Sequence, residues 1–99
     1  MTFLSLNVRG LGRVERVRAI TKLFPDTSPD IILLQETMCH ASIAIETIAN
    51  ILSGWEMSVG SASGLLGGLL SCWNPRVAQP RPFKTNWGII LEGNWGLLT

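Results

Sequence analysis

The 99-residue sequence has no tyrosine, one histidine (His40) and two cysteines (Cys39 and Cys72), and charged residues make up only 15% of it. A single histidine excludes a metal cluster built on several histidines within this polypeptide. Cys39 and Cys72 form no recognisable disulfide framework, and no CxxC or Cys/His ligand spacing occurs. They read as small, reduced, apolar residues. With no signal peptide, an intracellular location, nuclear or cytoplasmic, is expected. A net charge of +1 gives no whole-chain field to attract nucleic acid or membrane.

Hydrophobic residues make up 46% of the chain, which removes disorder from consideration and fits one domain over residues 1–99. The longest uncharged run, Met57 to Pro75, approaches a membrane span in length and places Gly60, Gly64 and Gly68 at GxxxG spacing. Its serines and glycines keep it weakly hydrophobic and no basic cluster flanks it closely, so a turn followed by a strand is expected and no membrane partner.

The organisation is α/β. "TFLSLNV" (Thr2 to Val8) reads as a strand, and "RGLG" supplies the glycines of a tight turn. From Arg13 to Phe24, Val14, Val17, Ile20, Leu23 and Phe24 recur at helical spacing, which predicts an amphipathic helix stopped by Pro25. "DIILLQET" (Asp30 to Thr37) reads as a buried strand that runs straight into a carboxylate, Glu36. Strand, helix and strand in this order form a βαβ unit with parallel strands, which brings Asn7 and Glu36 to the same carboxyl edge of a sheet. Ligands collect at that edge in open α/β sheets. A second helix is expected over Ala41 to Leu52, and strands over Trp55 to Val59 and Gly68 to Trp73. "WGIILEG" and "WGLLT" are expected to form a hairpin turning around Glu92, Gly93 and Asn94.

Five of the eight basic residues, Arg9, Arg13, Arg16, Arg18 and Lys22, fall in one stretch opposed only by Glu15. Such a run is either the solvated face of a helix or a patch for phosphate; Arg9 and Arg13 are its candidate nucleic-acid contacts. Trp55, Trp73, Trp87 and Trp95 read as core or sheet-face residues, and Gln35 as a locally packed or hydrogen-bonded amide.

Taken in order, "LSLNVRGLG", "SPDIILLQET", "GW", "SGLLGGLLSCWNP" and "GIILEGNWGLLT" resemble the amino-terminal part of the endonuclease/exonuclease/phosphatase superfamily. Within it they resemble the endonuclease domain of plant LINE-type (non-LTR) retrotransposons. The ordered combination spans nearly the whole chain and carries more weight than "NVRGLG" or "QET" alone. The resemblance implies the amino-terminal half of a four-layer α/β sandwich: a mixed sheet with two helices. It also implies hydrolase chemistry on phosphodiesters, a Mg²⁺ or Mn²⁺ cofactor and DNA as partner. On the matching positions, Glu36 is the metal-ligating glutamate, and Asn7 the asparagine that helps arrange metal and phosphate; both are the expected catalytic and metal-site residues.

The sequence also departs from the family pattern. Leu6 stands where an aromatic residue usually precedes the asparagine, and "GLLGGLL" carries extra glycine and leucine. No "GDFN"-like or "SDH"-like stretch occurs, so the family's Asp-x-Asn and Asp-His segments are missing. One carboxylate and one amide do not suffice to bind a metal firmly, activate water and stabilise a transition state. The expectation is a truncated remnant with weak metal binding and no activity alone, whose uncovered sheet edges favour self-association. The alternative is a non-catalytic nucleic-acid-binding or interaction module that uses the basic helix over residues 13–22.

Overall fold

A computed structural model describes residues 1–60, 68–84 and 89–93. Its element order is β1 (Phe3–Asn7), α1 (Val14–Thr27), β2 (Ile31–Gln35), α2 (Ala41–Ile51), β3 (Glu56–Gly60), β4 (Leu69–Trp73), β5 (Arg81–Lys84) and β6 (Ile89–Glu92). The larger sheet has the order β1-β2-β4-β3, and β5 and β6 pair separately. β1 and β2 are parallel, with Leu4 opposite Ile32 and Asn7 opposite Gln35. β4 runs antiparallel to both β2 and β3. The expected α/β fold, a mixed sheet with two helices, is the one observed.

Alternation along the strands gives the sheet two chemically different faces. Leu4, Leu6, Ile32, Leu34, Val59, Leu70 and Cys72 meet Ile20 and Phe24 of α1 and Ala44 and Ile48 of α2 in the main core. Ile31, Leu33 and Trp73 look the other way and pack with Ala78 and with Leu91 of β6. β2 and β4 are central strands covered on both faces, which is why "IILL" is a continuous apolar run. Trp73 is buried and Trp55 packs at the edge of the main core, as core residues should. Trp87, Trp95, Gly64 and the turn at Asn94 lie outside the described residues.

One boundary and one strand differ from the sequence reading. Pro25 does not stop α1; it sits inside the last turn, and the helix runs on to Thr27. Buried Phe24 anchors that turn, the Thr27 hydroxyl donates to the Leu23 carbonyl at 3.0 Å, and Ser28 closes the end in a left-handed conformation with its N–H on the Phe24 carbonyl at 2.9 Å. These contacts offset the single backbone donor that proline lacks. β6 pairs with β5, a strand the sequence reading lacks, with Phe83 opposite Ile90; the expected hairpin of β6 with the segment after it falls on 94–99, outside the described residues. β5 escaped the sequence reading because Pro80 and Pro82 argue against a strand, and an edge strand tolerates a proline. Arg81 and Glu92 bridge β5 and β6 at 2.5 Å across an exposed surface.

Ile48 is fully buried between α2 and the sheet. Ile48→Ala is expected to destabilise the chain by about 2–5 kcal/mol in denaturant titration, against about 0–1 kcal/mol for Arg81→Ala in its exposed ion pair. Burial pushes the Cys72 thiol up to about 12 from an ordinary 9.0, and raises Cys39 as well. Between those values the unfolded chain has lost the Cys72 proton and the folded chain keeps it, so stability falls as pH rises from about 9 to about 12. Cys72→Ala should flatten that alkaline slope in pH-dependent unfolding.

Candidate functional site at the carboxyl edge of the parallel strands

The β1–β2 pairing does not end where the strands end. Val8 N–H donates to the Gln35 carbonyl at 2.9 Å, Gly10 N–H to the Glu36 carbonyl at 2.8 Å and Leu11 N–H to the Thr37 carbonyl at 2.9 Å. Thr37 N–H in turn donates to the Gly68 carbonyl at 3.2 Å, which ties this edge to the start of β4. Thr37, Val8 and Leu11 are buried, so the loops are anchored from below.

On this frame Asn7 and Glu36 meet directly. The Asn7 side-chain amide donates to the Glu36 carboxylate, and the Asn7 side-chain carbonyl accepts the Arg9 backbone N–H at 3.2 Å. Both side chains are exposed. The carboxylate at the mouth of a buried strand therefore stays hydrated, which removes the desolvation cost that its position in the sequence suggests. Gln35 turns to the side and donates to the Ser5 hydroxyl at 3.0 Å, a local bond across the strands.

The backbone here is held in an uncommon conformation. Arg9 and Glu36 have φ of 49° and 55°, Met38 has 52°, and Gly10 has 104°. Left-handed backbone in a residue with a side chain costs on the order of 1–2 kcal/mol and persists where surrounding contacts over-determine it. Here those contacts are the inter-loop hydrogen bonds. Sequence reasoning identified Asn7 and Glu36 but missed this turn as part of the site; the glycine of "RGLG" was its one visible signal.

Of the basic residues, Arg9 lies in this turn with an exposed side chain, and Arg13 is the residue that caps α1. The rest do not share one face. Arg16 lines a cleft of about 170 Å³ with Leu6, Asn7 and Leu23, whereas Arg13 and Arg18 line a groove of about 310 Å³ against Asn50 and Ile51 of α2.

Glu36 supplies one hard, hydrated oxygen donor set, and among the described residues no cation pairs with it. Nor do three or more His, Cys, Asp or Glu side chains converge among those residues. A small dication that keeps most of its waters and takes further oxygens from phosphate fits a single carboxylate of this kind; a cage built wholly of protein ligands does not. No helix among the described residues is long and apolar enough to cross a membrane.

No protein-family model and no curated protein matches the sequence. Solved structures do match the fold. An AP endonuclease from Archaeoglobus fulgidus is similar over 83% of this chain and 29% of its own, with TM-score 0.60 and 19% identity. The 3′ phosphatase NExo from Neisseria, bound to a product DNA hairpin, is similar over 83% of this chain and 28% of its own, with TM-score 0.56 and 22% identity. The catalytic domain of Xenopus laevis APE2 is similar over 75% of this chain and 23% of its own, with TM-score 0.55 and 22% identity. The chain thus has part of the fold of these endonuclease and phosphatase structures, and spans less than a third of the length of each.

The left-handed backbone at Glu36 carries a stability cost that substitution can relieve or deepen. Glu36→Gly is expected to raise stability by up to about 1 kcal/mol, because glycine adopts this φ freely. Glu36→Val, β-branched at a positive φ, should lower it by a comparable or larger amount. Thermal unfolding of the two variants beside the parent checks the order.

Proposed function

We propose that these 99 residues carry the carboxylate-and-amide half of a divalent-metal-dependent phosphodiesterase site of the DNA endonuclease kind, derived from a plant LINE-type retrotransposon endonuclease and inactive alone. The observation that supports this reading is the contact between Asn7 and Glu36 at the carboxyl edge of two parallel strands. The DNA-bound phosphatase and the endonuclease that share the fold lend DNA as the substrate class.

In this reading Glu36 would hold Mg²⁺ or Mn²⁺ through its carboxylate, and the chemistry so supplied would be polarisation of a phosphoryl oxygen and offset of the charge that develops there. Asn7 keeps the carboxylate oriented through its amide N–H and positions the phosphate beside it. The Arg9 and Arg13 guanidinium groups attract the nucleic-acid backbone to this edge. A DNA substrate implies action inside the cell, in nucleus or cytoplasm. Exposed Phe83 and Ile90 on β5 and β6 provide apolar surface for self-association.

Turnover needs further groups to deprotonate water and receive charge, and the sequence contains no Asp-x-Asn or Asp-His segment to provide them. The competing reading, a basic helix acting as a nucleic-acid module, draws less support because Arg16 and Arg18 line different clefts.

The test is Mg²⁺-dependent nicking of supercoiled plasmid by the chain alone and with an added polypeptide that carries the Asp-x-Asn and Asp-His segments. No nicking is expected from the chain alone. The mixture should nick, and Glu36→Gln should reduce its rate by about 10²-fold or more. Nicking by the chain alone would overturn the claim of incompleteness; a mixture indifferent to Glu36→Gln would overturn the site.

A further inference from the structure

We infer that Gly10 is a positioning residue for the Asn7–Glu36 pair, acting through backbone conformation and one hydrogen bond. This rests on the metal-site reading above. Gly10 has φ of +104°, beyond the left-handed region that asparagine and aspartate favour, so a side chain of natural handedness is strained there. Space is not the reason: a Cβ built on Gly10 meets nothing within 4 Å. The requirement is purely conformational.

That conformation aims three consecutive backbone donors at the site. Arg9 N–H reaches the Asn7 side-chain carbonyl, which fixes which end of the amide faces Glu36. Gly10 N–H reaches the carbonyl of Glu36 itself, and Leu11 N–H reaches that of Thr37. With buried Leu11 anchored on Thr37, rotation of φ at Gly10 swings the Gly10 and Arg9 N–H groups off their acceptors, so the amide loses its orientation and Glu36 loses the bond that holds its left-handed backbone. The carboxylate and the amide would remain in the chain, but no longer preorganised to face a shared ion.

The test compares two mirror-image substitutions in the full 99-residue chain, made by chemical ligation: Gly10→Ala and the same alanine in the D form, which favours positive φ. Two signals are read by NMR: the Asn7 side-chain amide resonances without metal, and their paramagnetic broadening by Mn²⁺ alone. Gly54→Ala, at φ +84° in the turn after α2, controls for general strain at a positive φ. Gly10→Ala should shift the Asn7 amide and weaken the Mn²⁺ effect about tenfold. The D-alanine chain should keep both signals, as should Gly54→Ala despite its lower melting temperature. If Gly10→Ala fails to fold, Gly10→Asn takes its place with the same expectation, since asparagine tolerates a smaller positive φ. Equal retention in both alanine forms, or equal loss in both, overturns the inference. Absence of any Mn²⁺ effect on the parent chain overturns the metal-site reading instead, and the Asn7 amide shift still decides the role of Gly10.

Discussion

The site depends on one constraint: the parallel pairing of β1 and β2 continues past the strands into the two loops that follow them. Parallel neighbours cannot be joined by a tight turn, so α1 crosses over the sheet and returns the chain in the same direction. Asn7 and Glu36 are 29 positions apart in sequence and adjacent in space because both strands deliver their carboxyl ends to one edge. The bonds from Gly10 to Glu36 and from Leu11 to Thr37 then keep the loops from fraying. Ile20 and Phe24 hold α1 on the sheet, so packing in the core sets the geometry at the rim.

The edge also divides its residues by solvent. Thr37 is buried and bonded, whereas Glu36, its neighbour in sequence, is exposed in a left-handed backbone. A carboxylate in this position retains its hydration, and its charge is not neutralised by a basic partner among the described residues. The strain at Glu36 persists because the hydrogen bonds between the two loops over-determine its backbone.

Much of this was legible in the sequence because it follows from periodicity. The apolar spacing from Val14 to Phe24 located α1, the run "IILL" located a central strand, and their order placed Asn7 beside Glu36. What could not be read was set by tertiary context. The extension of α1 through Pro25 depends on Phe24 being buried and on the Thr27 hydroxyl. β5 is hidden by its prolines and exists as the partner of β6. The run of arginines gave no hint that Arg16 faces the Asn7 cleft while Arg18 faces α2, because charge counts carry no angular information until the buried face of the helix is known. The left-handed backbone at Glu36 was equally invisible, since glutamate has no preference for it.

The placement of Asn7 links chemistry to folding. Asn7 lies on the strand face opposite Leu4 and Leu6, the same face as Ser5, half-buried Leu33 and buried Trp73. That is the face turned away from both helices, which among the described residues is covered in part by Ala78 and Leu91. On it Ile31 and Trp73 are already buried, Leu33 is half-buried, and Ser5 and Asn7 are exposed, so the uncovered part of this face lies along β1. The geometry of the exposed pair at its edge is set by the backbone of the two loops, where Glu36 is held in a left-handed conformation by the bond from Gly10.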